Sequence, residues 1–203
     1  MDVRKAELDT YTEMWGVEDY AICAPAERYV ELFASIAKEG SVLDAGCGSG
    51  KGAIKLAEAG FSVTMCDLTA DGIVPEAVEK FPFVATCLWD SLEPLAYLAK
   101  SWYKNGYDGK RFDWVFCSDV LEHIPTEFSM LVVHRLLEVA KKGVFLSIAT
   151  APDEFGNWIG KTLHKTVQPF TWWRDNLKEL GNLAEARDLF ITAIFMVEPK
   201  VTL

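Results

Sequence analysis

The stretch VLDAGCGSGKG, residues 42–52, constrains the fold more than any other part of the chain. Gly46, Gly48, Gly50 and Gly52 alternate there directly after a short apolar run, and Asp44 stands at the junction. Glycine takes up positive φ at no steric cost and lets another group come against the backbone. A strand, a glycine loop and a helix form the opening unit of a parallel α/β sheet, with the loop at the carboxyl end of the strand, where such sheets bind ligands. A tight turn without a ligand needs one or two glycines; it leaves the others and the carboxylate unexplained.

The rest of the chain repeats the alternation. Residues 25–40 read as a helix, opened by Pro25, with Tyr29, Leu32, Phe33, Ile36 and Ala37 on one face and Gly40 as the stop. Residues 41–46 are a strand, 50–60 a second helix and 61–67 a second strand ending in Asp67. A third strand lies within 81–90 and a fourth at 112–119. A helix at 125–143, a strand at 143–150 and a helix at 168–181 follow, and 182–198 reads as two strands joined around Arg187–Asp188. Strands that alternate with helices need right-handed crossovers and give a mostly parallel sheet covered on both faces. The expected fold is a doubly wound α/β sandwich with a seven-stranded sheet and an antiparallel C-terminal edge. Its 203 residues suit one compact domain, with 1–40 as an N-terminal helical lid and 41–203 as the ligand-binding body.

Charge narrows the partners. The net charge is −10 and the basic residues are interspersed with acids, so the basic stripe of a general nucleic-acid binder is missing. No apolar run reaches the roughly 20 residues of a membrane span, and the charged N-terminus lacks a secretory core, so the expectation is a cytoplasmic protein. The five cysteines include no CxxC pair and read as buried thiols.

Two ligand classes fit the glycine loop. Gly48–Ala53 satisfies the GxGxxG/A pattern of dinucleotide sites, but an acid beside a pyrophosphate gives that anion no help. Asp44 suits a ligand with a cationic end. The DAGCGSG run resembles the cofactor loop of class I S-adenosylmethionine-dependent methyltransferases. The resemblance implies S-adenosylmethionine as cofactor, its methionine part lying along Gly46, Cys47, Gly48 and Gly50 and its ammonium group held by Asp44. It further implies that Asp67, with Leu68 beside it, accepts from the ribose hydroxyls. Asp90 accepts from the adenine amino group, with the Ser91 N–H facing the ring, and Ser118 closes the fourth strand beside the cofactor. Trp89 packs either on the adenine or in the core.

A second group of residues follows the fourth strand in SDVLEHIP, where Asp119, Glu122 and His123 are spaced D-x-x-E-H. A helical turn there would put Asp119 and Glu122 on one side with His123 adjacent. His123 reads as a general base or substrate anchor, as a metal ligand, or as a structural residue. The stretch resembles the E-x-x-E-H of certain O-methyltransferases, the ubiquinone-biosynthesis and small-RNA 3′-end types, which hold a divalent cation. By that resemblance Glu122, His123 and His164 are the ligand candidates, while Asp119 stands one methylene short of the usual glutamate. Two histidines with a carboxylate suit Mn²⁺, Fe²⁺, Co²⁺ or Zn²⁺ better than Mg²⁺. Of the neighbouring Trp172 and Trp173, one at most faces such a pocket. Tyr11, Trp15 and Tyr20 read as part of a lid over the cofactor or as plain packing residues.

The expected function is methyl transfer from S-adenosylmethionine to a small-molecule acceptor, at oxygen before nitrogen or carbon, with His123, Asp119 and Glu122 as catalytic candidates. The family's DNA-amino signature, [DNS]PP[YFW], is replaced here by SDVL. Two alternatives remain at this level. One is metal-assisted methylation of an RNA 3′ end or another nucleotide-bearing substrate, supported locally by Lys161, Lys165 and Arg174. The other is a non-catalytic cofactor-binding partner subunit. Neither a membrane nor long nucleic acid is expected as a partner.

Overall fold

The computed structural model describes residues 2–21, 24–90, 92 and 112–200. Seven strands form one sheet in the order β3-β2-β1-β4-β5-β7-β6. They are β1 Ser41–Ala45, β2 Ser62–Asp67, β3 Phe83–Ala85, β4 Phe112–Ser118, β5 Ala140–Ala149, β6 Gly181–Asp188 and β7 Thr192–Pro199. Strands β1 to β5 pair in parallel, and β7 pairs antiparallel with both β5 and β6. The expected doubly wound sheet with an antiparallel edge is therefore present. The strand order reverses between β1 and β4, which makes the loops after those two strands the walls of the crevice where such sheets take ligands.

Period-two alternation divides the strand residues between two cores. Val42, Val63, Met65, Phe116, Phe145, Ile194 and Met196 face one side, against α3 Val30–Ala37 and α4 Lys51–Glu58. Leu43, Val115, Cys117, Val144, Leu146 and Phe195 face the other, against the helices Thr126–Val139 and Phe170–Leu180. Phe33 sits fully buried among Phe61, Trp114, Phe116 and Phe145, with ring centroids 5.1–6.3 Å away. Cys47, Cys66, Cys87 and Cys117 are buried free thiols, as expected; Cys23 lies outside the described residues. No helix among the described residues is long and apolar enough to cross a membrane.

The boundaries differ in physically readable ways. The helix expected over 25–40 begins as a 3₁₀ turn, Pro25–Tyr29, before α3, and Lys38 rather than Gly40 ends it, at φ 64°. The helix and strand expected to meet at Gly143 meet instead at Ala140, so Lys141 and Lys142 belong to β5. The final hairpin turns at Leu189–Ile191 and not at Arg187–Asp188; Asp188 Oδ1 accepts the N–H of Phe190 at the apex. Ahead of the sheet run α1 Val3–Trp15, capped by the Asp2 carboxylate, and the short α2 Glu18–Ala21.

Candidate active site

The loop after β1 is tied down before any ligand is considered. The Gly46 and Cys47 N–H groups both donate to Cys66 O, at 2.8 and 3.1 Å. Gly46 has φ +76°, and a Cβ there would meet Val120 Cγ2 at 2.4 Å; Gly50 has φ +74° and would meet Ala77 at 2.7 Å. Internal packing thus accounts for Gly46 and Gly50, within the one or two glycines that a tight turn needs. The side chain of Cys47 turns into the core, leaving its backbone to the loop. Over the loop lies Trp15, whose ring would be 3.5 Å from a Cβ on Gly48 and 2.3 Å from one on Gly72.

Two carboxyls sit beneath this loop. Asp44 is 2% exposed, and its Oδ2 has no hydrogen-bond partner among the described residues. Burial, and then the neighbouring Asp67, pushes it up to about 7. Asp67 accepts from Gly48 N at 2.8 Å and Leu68 N at 2.6 Å; burial raises it against these bonds. An anion here would add to the repulsion, whereas a cation would give Asp44 its missing partner. The residues therefore fit the positively charged methionine end of S-adenosylmethionine and do not fit a pyrophosphate. Asp90 is half exposed and pairs with Arg4 at 2.9 Å; Ser91 lies outside the described residues.

Across the crevice, Asp119 follows β4 at φ 54°, a left-handed conformation that aspartate tolerates better than most residues. Its Oδ2 accepts from Ser118 Oγ at 2.9 Å and Ser147 Oγ at 3.0 Å, and the two hydroxyls lie 2.6 Å apart. The Ser118 hydroxyl is thus engaged by Ser147 and Asp119 at the end of β4. One expectation is corrected: Asp119 stays outside the helical turn, because the left-handed residue breaks the chain direction before the 3₁₀ turn Leu121–His123.

That 3₁₀ turn brings the remaining candidates together. Glu122 is fully buried; its Oε1 accepts from Ala149 N at 3.0 Å, and its Oε2 has no partner among the described residues. Burial raises its carboxyl well above the usual range. The Glu122 carbonyl accepts from Lys165 N and Thr166 N at 2.7 and 2.9 Å, which docks the 163–166 segment against the turn. Consequently the His123 and His164 rings meet edge-on, 4.8 Å apart. Burial, with His164 beside it, lowers His123 to about 3, so its ring is neutral and holds a proton poorly. His123 Nδ1 is buried without a partner among the described residues, and His164 Nδ1 lies 2.6 Å from Ala151 O, a bond that leaves Nε2 as an acceptor. Asp153 braces this segment, its Oδ2 accepting from Leu163 N and His164 N.

Helix α1 spans the two halves. Its Tyr11 ring packs on His123 with centroids 5.9 Å apart, and the Tyr11 hydroxyl is buried without a partner among the described residues. Arg4 reaches Asp90, Thr12 reaches Asp71, Glu7 pairs with Lys165 at 2.7 Å and Glu13 with Lys161 at 2.7 Å. Arg174 pairs with Asp175, so all three cations offered for a phosphate-bearing acceptor already have acidic partners. Trp173 is wholly in the core with Trp172 packed on it, and Trp89 stacks on Phe128. Sequence reasoning missed Ser147, Asp153 and Gly72. Ser147 matters only because it is in register with Ser118, a relation that strand pairing creates.

With this geometry in view, the relatives are informative. A family model described as "Methyltransferase domain" matches residues 17–190. The magnesium-protoporphyrin O-methyltransferase of Synechocystis is 34% identical over 145 residues, 70% of this chain and 50% of its own length. The chain thus spans about half of that relative. Among solved structures, a DhpI–SAH complex covers 97% of both chains at TM-score 0.70 and 16% identity. The 1,6-didemethyltoxoflavin N1-methyltransferase of Burkholderia thailandensis covers 98% of this chain and 88% of its own at TM-score 0.66 and 15% identity. These two share the fold. The chain belongs to the methyltransferase-domain family, in its class I, S-adenosylmethionine-dependent form.

Proposed function

We propose that the protein transfers the methyl group of S-adenosylmethionine to an oxygen of a small-molecule acceptor. The observation that carries this reading is the buried Asp44 carboxyl under the glycine loop, without a hydrogen-bond partner among the described residues, on the strand next to β4, after which Glu122, His123 and His164 come together. Bound S-adenosylmethionine supplies an activated methyl on a cationic sulfur. The chain's own residues bind and orient: Asp44 takes the ammonium group, the loop backbone at Gly46, Cys47, Gly48 and Gly50 takes the methionine part, and Asp67 with Leu68 takes the ribose. Asp90 remains the residue for the adenine edge, and engaging it there requires its ion pair with Arg4 to open. On the acceptor side the His123–His164 pair receives the acceptor hydroxyl, and Asp119 acts as a positioning residue that fixes the ends of β4 and β5. Holding donor and acceptor in line is the main catalytic contribution of such a site.

Of the segment 1–40, α3 is part of the core against the sheet, so the lid is α1 with α2. Tyr11 and Trp15 cover the acceptor and cofactor sides, so α1 must lift for exchange and close for transfer, excluding water. Oxygen as the target is supported by the Synechocystis relative, an O-methyltransferase by name. A small acceptor is supported by that relative and by the pairing of Lys161, Lys165 and Arg174, which leaves no spare cation there for a phosphate chain. The test is incubation with S-adenosylmethionine tritiated at the methyl group, together with fractionated small molecules and, separately, RNA. Label in a base-labile or ether-linked small product supports the reading; label in RNA alone, or on nitrogen alone, overturns it.

A further inference from the structure

We propose that the outer edge of β6 is a self-association surface, on which a second copy of this chain pairs antiparallel about a two-fold axis at Ala186. The surface lies at the sheet margin, and its role does not depend on the methyl-transfer reading.

Strand β6 is the last in the sheet, and no strand among the described residues pairs with its outer side. Such an edge is a ready template for another strand. Its backbone groups are turned in a defined pattern. The Leu189 N–H donates to Thr192 O at 2.9 Å, so Leu189 faces β7. Alternation along an antiparallel ladder then turns Arg187 toward β7 as well and leaves the N–H and C=O of Ala186 and Asp188 toward the open side. Beyond β7 the Thr150 N–H donates to Ile191 O at 2.9 Å, in agreement with the same alternation. An axis at Ala186 therefore lets the two copies exchange both backbone bonds of that residue, the hydrogen-bonded kind of antiparallel pair.

The side chains select this register. Glu185 and Arg187 lie opposite Met196 and Ile194 of β7, two members of one core cluster, so they share a face of the sheet. Both are partly exposed and bond each other at 3.0 Å. With the axis at Ala186, each Glu185 stands opposite the second copy's Arg187, and opposite signs alternate around the axis. An axis at Glu185, Arg187 or Asp188 would set like charges directly opposite, which is destabilising. Asp188 meets Ala184, and its carboxylate already accepts the Phe190 N–H. Charge complementarity thus names a second copy as the partner, in the isologous arrangement commonest among soluble dimers.

The hairpin apex adds apolar surface. Leu189, Phe190 and Ile191 are 49%, 95% and 61% exposed, and Phe190 holds φ 78°, a conformation that a bulky side chain rarely adopts. In the paired arrangement the apex runs along the second copy's β6 toward its start, which covers part of these side chains. The bulge between Leu183 and Glu185 ends the regular pairing there. Because the two edge strands run antiparallel, the ligand crevices open at opposite margins of the joined sheet and neither obstructs the other. A short strand pairing with a small apolar apex is at the low end of interface sizes, so the dimer should dissociate in about the micromolar range.

The experiment is sedimentation equilibrium of the full chain across the micromolar range, with the expectation of a monomer–dimer equilibrium. Glu185→Arg and Arg187→Glu, each alone, set like charges opposite one another at both positions and should weaken association at least about tenfold. Mixed in equal amounts, the two variants should associate again, because one strand is then basic and the other acidic at the paired positions. Ala186→Pro removes the outward N–H at an edge position where proline is tolerated, and should leave a folded monomer. The melting temperature of each variant checks its fold; losing the exposed Glu185–Arg187 pair should change it little. If Ala186→Pro fails to fold, the charge variants decide. A parent that stays monomeric throughout, a dimer indifferent to both charge reversals, or reversals that mixing does not rescue, each overturns the surface.

Discussion

Asp44→Asn separates stability from binding in opposite directions. Asp44 is raised from 3.8 to about 7 by burial and by Asp67, so in the free protein its ionised form is disfavoured by about three pH units. At 1.36 kcal/mol per unit this amounts to about 4 kcal/mol. The sign follows from linkage: the folded chain holds the proton more tightly than the unfolded one, so this contribution is full below about pH 4 and is lost as pH rises through about 7. Asparagine cannot ionise. The variant should therefore be more stable than the parent at pH 8, by up to about 4 kcal/mol or roughly 10 °C, and the gap should shrink toward pH 4. Binding runs the other way. A cationic ligand needs the ionised form, so parental affinity for S-adenosylhomocysteine should fall about tenfold from pH 8 to pH 6, while Asp44→Asn binds weakly and without that slope. Calorimetric titrations and melts at pH 5, 6, 7 and 8 read both. A parent whose affinity is flat across this range, or a variant that keeps the slope, refutes Asp44 as the cation's partner.

Other expectations are more local. Gly46→Ala forces a β-carbon into Val120 at positive φ and should cost about 2 kcal/mol or more, read as a lower denaturation midpoint. Phe33→Ala empties the centre of an aromatic cluster and should cost about 3–5 kcal/mol in the same measurement. Tyr11→Phe removes a buried hydroxyl that has no partner among the described residues, so the free protein should melt no lower than the parent while turnover drops; a large stability loss would contradict the lid reading. Trp15→Ala uncovers the glycine loop and should speed release of S-adenosylhomocysteine in stopped-flow measurements, with the melting temperature little changed.

The sheet was legible because it rests on local patterns. Apolar strands of period two, amphipathic helices and the glycine loop each speak for themselves in the chain, and Asp44 and Asp67 fall at strand ends that those patterns locate. What escaped reading depends on backbone geometry or on pairing across distance. The D-x-x-E-H spacing reads as a helical turn holding Asp119 and Glu122 because nothing local announces a left-handed aspartate; in the fold its carboxylate bonds Ser118 and Ser147, on two different strands. The glycines looked like space for a ligand, yet Gly46 and Gly50 are also pressed by Val120 and Ala77. Lys161 and Lys165 read as free cations until α1 folded across them with Glu13 and Glu7. His164 joined His123 because backbone hydrogen bonds dock its segment onto Glu122, a contact between residues more than forty positions apart.

The most direct test of the central claim is a calorimetric melt of the protein with S-adenosylhomocysteine and, in parallel, with NAD. At ligand about a hundredfold above Kd, linkage gives about 2.7 kcal/mol, a rise of roughly 5–10 °C for a chain of this size. The account predicts that rise with S-adenosylhomocysteine and none with NAD. A rise with NAD alone, or none with S-adenosylhomocysteine, would contradict it.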